Sequence, residues 1–127
     1  MTAMPHTIGA DIPIKKVGEM MLKYDVRHLP VKKAGKLVGI ISDRDVKAAR
    51  SYRGPGELTA EEVMTPDPYL VAPDAELGPV ALEMSEHRYG SVLIQDGAGE
   101  VIGIFTDTDA LRVLGQMLQG ARKLRVA

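Results

Sequence analysis

Two seven-residue segments of the chain carry side chains that could bind a sugar and a phosphate. They read GIISDRD from Gly39 to Asp45 and GIFTDTD from Gly103 to Asp109. In each segment a hydroxyl residue precedes the last aspartate by three positions. A hydroxyl at the start of a helix can donate to a phosphate oxygen, next to backbone N–H groups that favour anions. A carboxylate one turn later can accept from both hydroxyls of a ribose. The spacing therefore indicates a nucleotide site, and it occurs twice.

The same residues also have a purely structural explanation. Ser42 and Thr106 lie where a strand gives way to a helix, so each is a suitable N-cap. Asp45 and Asp109 fall in the first helical turn, where a carboxylate complements the helix dipole by roughly 0.3–1 kcal/mol. We expect capping at both positions. Capping does not explain the glycine inside each strand, which often marks the close approach of a ligand or of another backbone.

The two segments belong to an internal repeat. A shift of 63 positions places MTAMP (Met1–Pro5) on MTPDP (Met64–Pro68), and one extra residue in a later turn raises the shift to 64. With that single slip the two seven-residue segments align as well. The sequence therefore predicts two copies of one unit, a first copy at residues 1–58 and a second copy at residues 59–127.

Each copy predicts the element order β-α-β-β-α, which makes the fold mixed α/β (α+β). We expect the first helix of each copy to begin at Asp11 or Asp74, which are N-cap residue types. Apolar residues recur at helical spacing from Ile14 onward. Two strands around a glycine-containing turn follow, HLPVK with KLVGIIS and SVLIQ with EVIGIFT. TAEE at Thr59 to Glu62 predicts a capped helical turn between the copies.

Composition excludes several classes of function. The net charge is −1, and no basic stripe suits nucleic acid apart from a short basic tail, so nucleic-acid binding is not expected. No apolar run approaches the roughly 20 residues that span a bilayer, so we expect a cytoplasmic protein without membrane contact. The absence of cysteine rules out disulfides and thiolate catalysis.

The Asp-x-Asp pairs invite a magnesium-dependent phosphoryl-transfer reaction. Against this, the first aspartate of each pair, Asp43 or Asp107, is expected to point into the first helical turn. The sequence also shows no activated nucleophile beside a base. We therefore predict that the chain is not an enzyme and has no catalytic or metal-binding residues.

Six motifs together resemble a known family. They are the openings MTAMPHTI and MTPDPYLV, the middle strands RHLPV and YGSVLI, and the closings LVGIISDRD and VIGIFTDTD. In this order, and doubled, they resemble a tandem pair of cystathionine-β-synthase-type (CBS) domains, also called a Bateman module. The resemblance covers essentially the whole chain.

The resemblance implies two pseudo-symmetric repeats packed as a CBS pair, with adenosine-containing ligands bound in clefts between the repeats. AMP, ADP and ATP are the expected ligands, together with S-adenosylmethionine. It also implies that Asp45 and Asp109 hold the ribose hydroxyls, and that Ser42 and Thr106 meet the phosphate. The family's apolar adenine slot maps onto Thr7, Ile8, His28, Leu29 and Pro30 in the first copy, and onto Leu70, Val71, Gly90, Ser91 and Val92 in the second.

The two predicted sites are not equivalent. Arg44 in the first segment could pair with a phosphate, whereas Thr108 at the matching position carries no charge. His28 likewise corresponds to Ser91. We therefore expect the Ser42, Arg44 and Asp45 site to prefer phosphorylated ligands.

The implied function is regulatory. The resemblance implies an adenine-nucleotide sensor that acts through the packing of the pair and of its homodimer on a regulated partner that the sequence does not name. No cofactor is required, and Mg²⁺ is expected only with bound ATP. The alternative is a CBS-type dimerisation scaffold without a physiological ligand.

Overall fold

The computed structural model describes residues 2–3, 6–120 and 124–126. The chain divides into two compact units, which we call the first unit (Met4–Pro68) and the second unit (Met1–Ala3 with Tyr69–Ala127). The N-terminal strand β1 (Thr2–Ala3) thus belongs to the second unit. The units are defined by spatial contact and the copies by sequence similarity, so the repeat boundary after residue 58 stays a prediction.

The first unit has one four-stranded sheet in the order β2-β3-β4-β5. Strand β2 pairs parallel with β3, whereas β3–β4 and β4–β5 are antiparallel. The elements are β2 (Ile8–Gly9), α1 (Ile14–Tyr24), β3 (His28–Lys33), β4 (Lys36–Ser42), α2 (Asp43–Ala49), α3 (Ala60–Val63) and β5 (Thr65–Pro66).

The second unit repeats this plan with the sheet order β1-β8-β7-β6. Its elements are β6 (Leu70–Val71), α4 (Leu77–His87), β7 (Ser91–Gln95), β8 (Val101–Thr106) and α5 (Asp107–Gln119). The predicted mixed fold and the order β-α-β-β-α are confirmed in both units. The longest of the described helices, α5, has 13 residues, and none of them is long and apolar enough to cross a membrane.

The first helix of each unit begins later than predicted. Helices α1 and α4 start at Ile14 and Leu77, after the N-cap residues Pro13 and Glu76. The expectation of helix starts at Asp11 and Asp74 was therefore wrong. In the first unit the reason is Pro13, whose extended backbone (φ −62°, ψ 145°) and ring disfavour helix at the preceding residue. No side chain caps either helix.

The core of each unit lies between its sheet and its helices. Of the apolar residues that the helical spacing predicted, helix α1 buries Ile14, Val17 and Met21, whereas Tyr24 is half-buried. Val17 is fully buried. Burying a side chain of this size stabilises the fold by roughly 1.5–3 kcal/mol. The buried cluster of the first unit comprises Ile8, Ala10, Ile14, Val17, Met21, Leu29, Val31, Ile41, Val46 and Ala60. That of the second unit comprises Val80, Met84, Val92, Ile94 and Phe105.

Two short strands, β1 and β5, were not predicted from the sequence. Strand β5 explains why a glycine lies inside β4. Strand β5 pairs with β4 at Gly39, and β1 pairs with β8 at Gly103. A Cβ on Gly39 would lie 2.7 Å from the carbonyl oxygen of Thr65, which is closer than side chains tolerate. A glycine inside a strand often marks the close approach of a ligand or of another backbone. At Gly39 it is the backbone of the neighbouring strand β5 that comes close.

Candidate ligand-binding site

The topology of the first unit gathers the predicted residues at one edge of its sheet. Because β2 is parallel to β3 and β4 is antiparallel to it, β2 and β3 begin at the edge where β4 ends. Helix α2 starts at this edge, directly after Ser42. His28 is the register partner of Ser42, and Thr7 immediately precedes β2. Both side chains are half-buried.

The second unit builds the same edge from matching residues. Strands β6 and β7 are parallel and begin where the antiparallel strand β8 ends and α5 starts. Ser91 is the register partner of Thr106, as His28 is of Ser42. Leu70 opens β6 and is 39% exposed.

Each edge carries a complete capping box. In the first unit, the Ser42 N–H donates to Asp45 Oδ2 at 2.9 Å, and the Asp45 N–H donates to Ser42 Oγ at 3.1 Å. In the second unit, the Thr106 N–H donates to Asp109 Oδ2 at 2.9 Å, and the Asp109 N–H donates to Thr106 Oγ1 at 3.2 Å. The predicted capping is confirmed. The reciprocal bonds fix both carboxylates beside the N–H groups of a helix start.

The two aspartates differ in their remaining contacts. Asp45 is half-buried, and within the described part of the chain its Oδ1 accepts no hydrogen bond. Asp109 is buried, at 9% exposure, and its Oδ1 accepts from Arg112 Nη1 at 2.9 Å. Its Oδ2 also accepts from the Thr106 hydroxyl at 3.2 Å. The residue that matches Arg112 in the first copy is Ala48.

These contacts keep Asp109 charged. Burial would raise the pKa of its carboxyl, but hydrogen bonds from the Thr106 backbone and the Arg112 guanidinium outweigh it. The pKa of Asp109 therefore lies below its ordinary value of 3.8. A buried carboxylate on a sheet edge can accept hydroxyl hydrogens of a ligand, which is the chemistry predicted for it.

Four of the residues predicted for the apolar slot have side chains in the core. Leu29 is fully buried, and Ile8, Pro30 and Val92 are almost so. An apolar slot that opens to a ligand requires accessible side chains, so Ile8, Leu29 and Pro30 could offer only backbone groups, whereas Val92 also lines a cavity beside the sheet. Leu29 and Pro30 are consecutive and both buried, so side chains on both faces of β3 are covered there, which the short apolar pattern in the sequence did not reveal.

The other predicted slot residues are more accessible. Gly90 is exposed, and its carbonyl accepts from the Asp107 N–H at 3.1 Å, just as the Arg27 carbonyl accepts from the Asp43 N–H at 2.8 Å. Val71 is half-buried and lines a cavity of about 300 Å³ between the sheet and α4. A larger groove of about 440 Å³ beside α1 and α2 involves none of the predicted residues.

The charged residues around the capping boxes divide into exposed and paired groups. Arg44 is exposed in the first turn of α2 and pairs with no carboxylate among the described residues. Asp43 pairs with Lys47 at 2.8 Å, and this hydrogen bond lowers the pKa of Asp43. Asp107 accepts from the Thr108 N–H at 2.8 Å. The carboxylates of each Asp-x-Asp pair thus accept from different donors, Lys47 and the Ser42 N–H in the first pair and the N–H groups of Thr108 and Thr106 in the second.

Comparison of the chain with known protein families identifies its family. The family model of the CBS domain matches residues 1–52 and 60–116. The chain belongs to the CBS domain family. The two matched segments follow the two copies, so the resemblance predicted from the sequence motifs is confirmed, and the chain is a tandem CBS module.

Two solved structures that share the fold were determined with adenosine compounds. One is the CBS domain pair of protein MJ0100 in complex with 5′-methylthioadenosine and S-adenosyl-L-methionine. It is 30% identical, with a TM-score of 0.74 over 89% of this chain and 90% of that one. Another is CBSX2 in complex with AMP, which is 25% identical, with a TM-score of 0.71 over 92% of this chain and 93% of that one.

The chain also matches one segment of several longer enzymes. L-aspartate semialdehyde sulfurtransferase of Methanocaldococcus jannaschii is 33% identical over 112 residues, which cover 87% of this chain and 21% of that protein. Inosine-5′-monophosphate dehydrogenase of Korarchaeum cryptofilum is 28% identical over 81% of this chain and 21% of that protein. The chain thus spans about a fifth of the length of these relatives.

Proposed function

We propose that this CBS pair is a regulatory module that binds an adenosine compound, of the AMP, ADP, ATP or S-adenosylmethionine type. The observation that carries the proposal is the matched carboxylate and hydroxyl at the edge of each sheet, held in the same geometry by two capping boxes. The complexes of similar CBS pairs with AMP, 5′-methylthioadenosine and S-adenosyl-L-methionine support the choice of ligand class.

In this proposal the aspartates accept the ribose hydroxyls. A carboxylate has about four acceptor positions, so capping alone does not exhaust it. Asp45 uses Oδ2 for its cap and keeps Oδ1 for a ligand. Ser42 and Thr106 stand beside helix N–H groups, where an anionic phosphate is favoured. Arg44 is exposed without an ion-pair partner in the described chain, which suits a phosphate contact at the first edge.

We assign the adenine to the strand starts at the same edges. Thr7, His28, Val71 and Ser91 are half-buried, and Leu70 and Gly90 are exposed, so each has surface that a ring could contact. For the buried residues Ile8, Leu29, Pro30 and Val92, we propose contact through backbone N–H and C=O groups. Backbone groups of this kind can read the polar edge of a base.

Ligand binding would act on a partner through a shift between states of the module. A ligand biases such an equilibrium only by its different affinity for the two states. We propose that the module works as a cytoplasmic homodimer, without catalysis of its own and with Mg²⁺ only when ATP is bound. The exposed apolar residues Leu111, Leu114 and Met117 on α5 support a dimer, because monomers rarely expose such a stripe.

A dimerisation scaffold without a physiological ligand is the second candidate. The observation in its favour is that both capping boxes are complete within the chain, so the aspartates stabilise their helices without any ligand. The two candidates differ in a single respect, which is whether an adenosine compound binds at all.

A thermal-shift screen with AMP, ADP, ATP and S-adenosylmethionine separates the two candidates. A ligand at about 100 times its dissociation constant adds ~2.7 kcal/mol and raises Tm by several degrees. We expect Asp45→Asn to reduce the shift and to keep most of the stability, because the amide oxygen can still accept from the Ser42 N–H. Asp45→Ala also removes the carboxylate that accepts from the Ser42 N–H, although Ser42 Oγ still accepts from the backbone N–H of residue 45, so this variant loses half of the capping box.

The paired variants make the outcome unambiguous. A shift of full size in Asp45→Asn, Asp109→Asn and the double variant would show that the ligand binds elsewhere. No shift in the wild-type protein with any of the four compounds would leave the scaffold as the function.

A further inference from the structure

Arg112 makes the two proposed ribose-binding aspartates unequal. It lies three residues after Asp109 on α5, a spacing that brings two side chains together on one helix face. Its Nη1 donates to Asp109 Oδ1 at 2.9 Å. The matching residue of the first copy, Ala48, has no group that could pair with Asp45.

The acceptor positions of the two carboxylates show what this difference means for a ligand. Of about four positions on a carboxylate, Asp109 uses two for the N–H and hydroxyl of Thr106 and one for Arg112. Asp45 uses one, for the Ser42 N–H. A ribose diol brings two O–H donors, so Asp45 has room for both. Asp109 has room for one as long as Arg112 stays paired.

The partners of this ion pair also differ in their freedom to move. The Arg112 side chain is 60% exposed, whereas that of Asp109 is 12% exposed and held by its cap. If the pair opens, the guanidinium can therefore move into solvent while the carboxylate keeps its position. An ion pair with one solvent-exposed partner is weak enough for a ligand to displace.

We propose that Arg112 is a latch that closes the Asp109 edge to the ribose diol, so that the Asp45 edge binds adenosine more tightly. This inference rests on the proposed function, because it concerns the affinity of the same sites. Arg112 is a specificity-determining residue that acts through Asp109. Its removal frees the buried carboxylate for the diol, and an arginine at position 48 would build the same latch on the first edge.

Calorimetric titration with adenosine tests the latch, because adenosine carries the diol without a phosphate. Asp45→Asn leaves only the Asp109 edge, and there Arg112→Ala should tighten adenosine binding by up to about fivefold, the effect expected for losing an ion pair with one exposed partner. Asp109→Asn leaves only the Asp45 edge, and there Ala48→Arg should weaken adenosine binding by up to about fivefold. Arg112→Lys, which keeps the charge, should stay closer to arginine than to alanine.

A second measurement reports on the ion pair without any ligand. The ¹³C shift of the Asp109 carboxyl, followed against pH, should give a higher pKa in Arg112→Ala than in the wild-type protein, with Tm lowered by a few degrees at most because the unliganded protein loses the same ion pair. Unchanged or weaker adenosine binding in Arg112→Ala would overturn the latch even if the Asp45 edge binds normally. The proposed function fails by a different result. In that case no adenosine compound binds at either edge, although the carboxyl pKa of Asp109 still rises in Arg112→Ala.

Discussion

At the residue scale, the hydroxyl and the aspartate of each segment serve the structure first. The sequence predicted that Ser42 and Thr106 would cap helices, and the capping boxes with Asp45 and Asp109 confirm it. The pairing of Asp109 with Arg112 was not predicted, although their spacing of three residues is a recognisable signal. Such spacing is common on exposed helix faces, so only the burial of Asp109 singles this pair out.

The lowered pKa of Asp109 makes a prediction about acid stability. Because the folded-state pKa lies below the ordinary value of 3.8, the unfolded state binds more protons in that range. The stabilisation from Asp109 is therefore fully present above pH 3.8 and is lost as the pH falls through the folded pKa. We expect Asp109→Asn to flatten the loss of unfolding free energy between about pH 5 and the acid limit of folding, measured by urea denaturation.

Asp43→Asn serves as the control for this measurement. The pKa of Asp43 is also lowered, mainly by its hydrogen bond with Lys47, but the group is exposed and solvent screens the pair. Its variant should follow the wild-type curve closely. If Asp109→Asn does the same, the carboxylate of Asp109 contributes nothing to stability.

At the element scale, the sequence predicted the helices and hairpins but not the shortest strands. Short apolar runs on either side of a turn signal identified β3, β4, β7 and β8, because these strands are long enough to stand out in the sequence. Strands β1 and β5 have two residues each and lie in the repeated openings MTAMP and MTPDP, where no periodicity can develop. At the start of α1, a tertiary contact takes the place of a side-chain cap. The N–H of Ile14 donates to the Leu58 carbonyl at 2.9 Å.

The close pairing of β4 with β5 predicts that Gly39 tolerates no side chain. Gly39→Ala would place a methyl group 2.7 Å from the Thr65 carbonyl oxygen, so β5 must move away. We expect a loss of about 1–3 kcal/mol of unfolding free energy by chemical denaturation, the usual cost of overpacking. Gly115→Ala in α5 is the matched control, because its Cβ would meet open space and the helix should gain up to about 1 kcal/mol. Equal stability of the two variants would contradict the close approach.

At the scale of the whole molecule, the repeat in the sequence and the compact units in space do not share their borders. Strand β1 joins the sheet of the second unit, and α3 with β5 joins the first unit. The shift of 63 positions predicted two similar folds, but not this exchange of opening segments. Strand partners so far apart in sequence are set by packing, which local patterns do not encode.

The exposed apolar stripe on α5 carries a prediction about oligomeric state. Leu111, Leu114 and Met117 are 69%, 51% and 67% exposed. If they form a homodimer interface, light scattering should give twice the chain mass of 13.7 kDa for the wild-type protein. The double variant Leu114→Glu with Met117→Glu should lower it to a single chain mass. Lys36→Glu, at the exposed start of β4 in the first unit, should stay dimeric. A monomeric wild-type protein would contradict the dimer.

Titration of the ¹⁵N-labelled protein with AMP, followed by amide chemical shifts, tests the central claim most directly. The claim is that an adenosine nucleotide binds at the helix starts, where the capping boxes fix the hydroxyl and the carboxylate. We predict that the largest shift changes fall on the amides from Ser42 to Asp45, that a second set follows from Thr106 to Asp109, and that Asp45→Asn abolishes the first set. Changes that concentrate elsewhere, or no change at saturating AMP, would contradict the account.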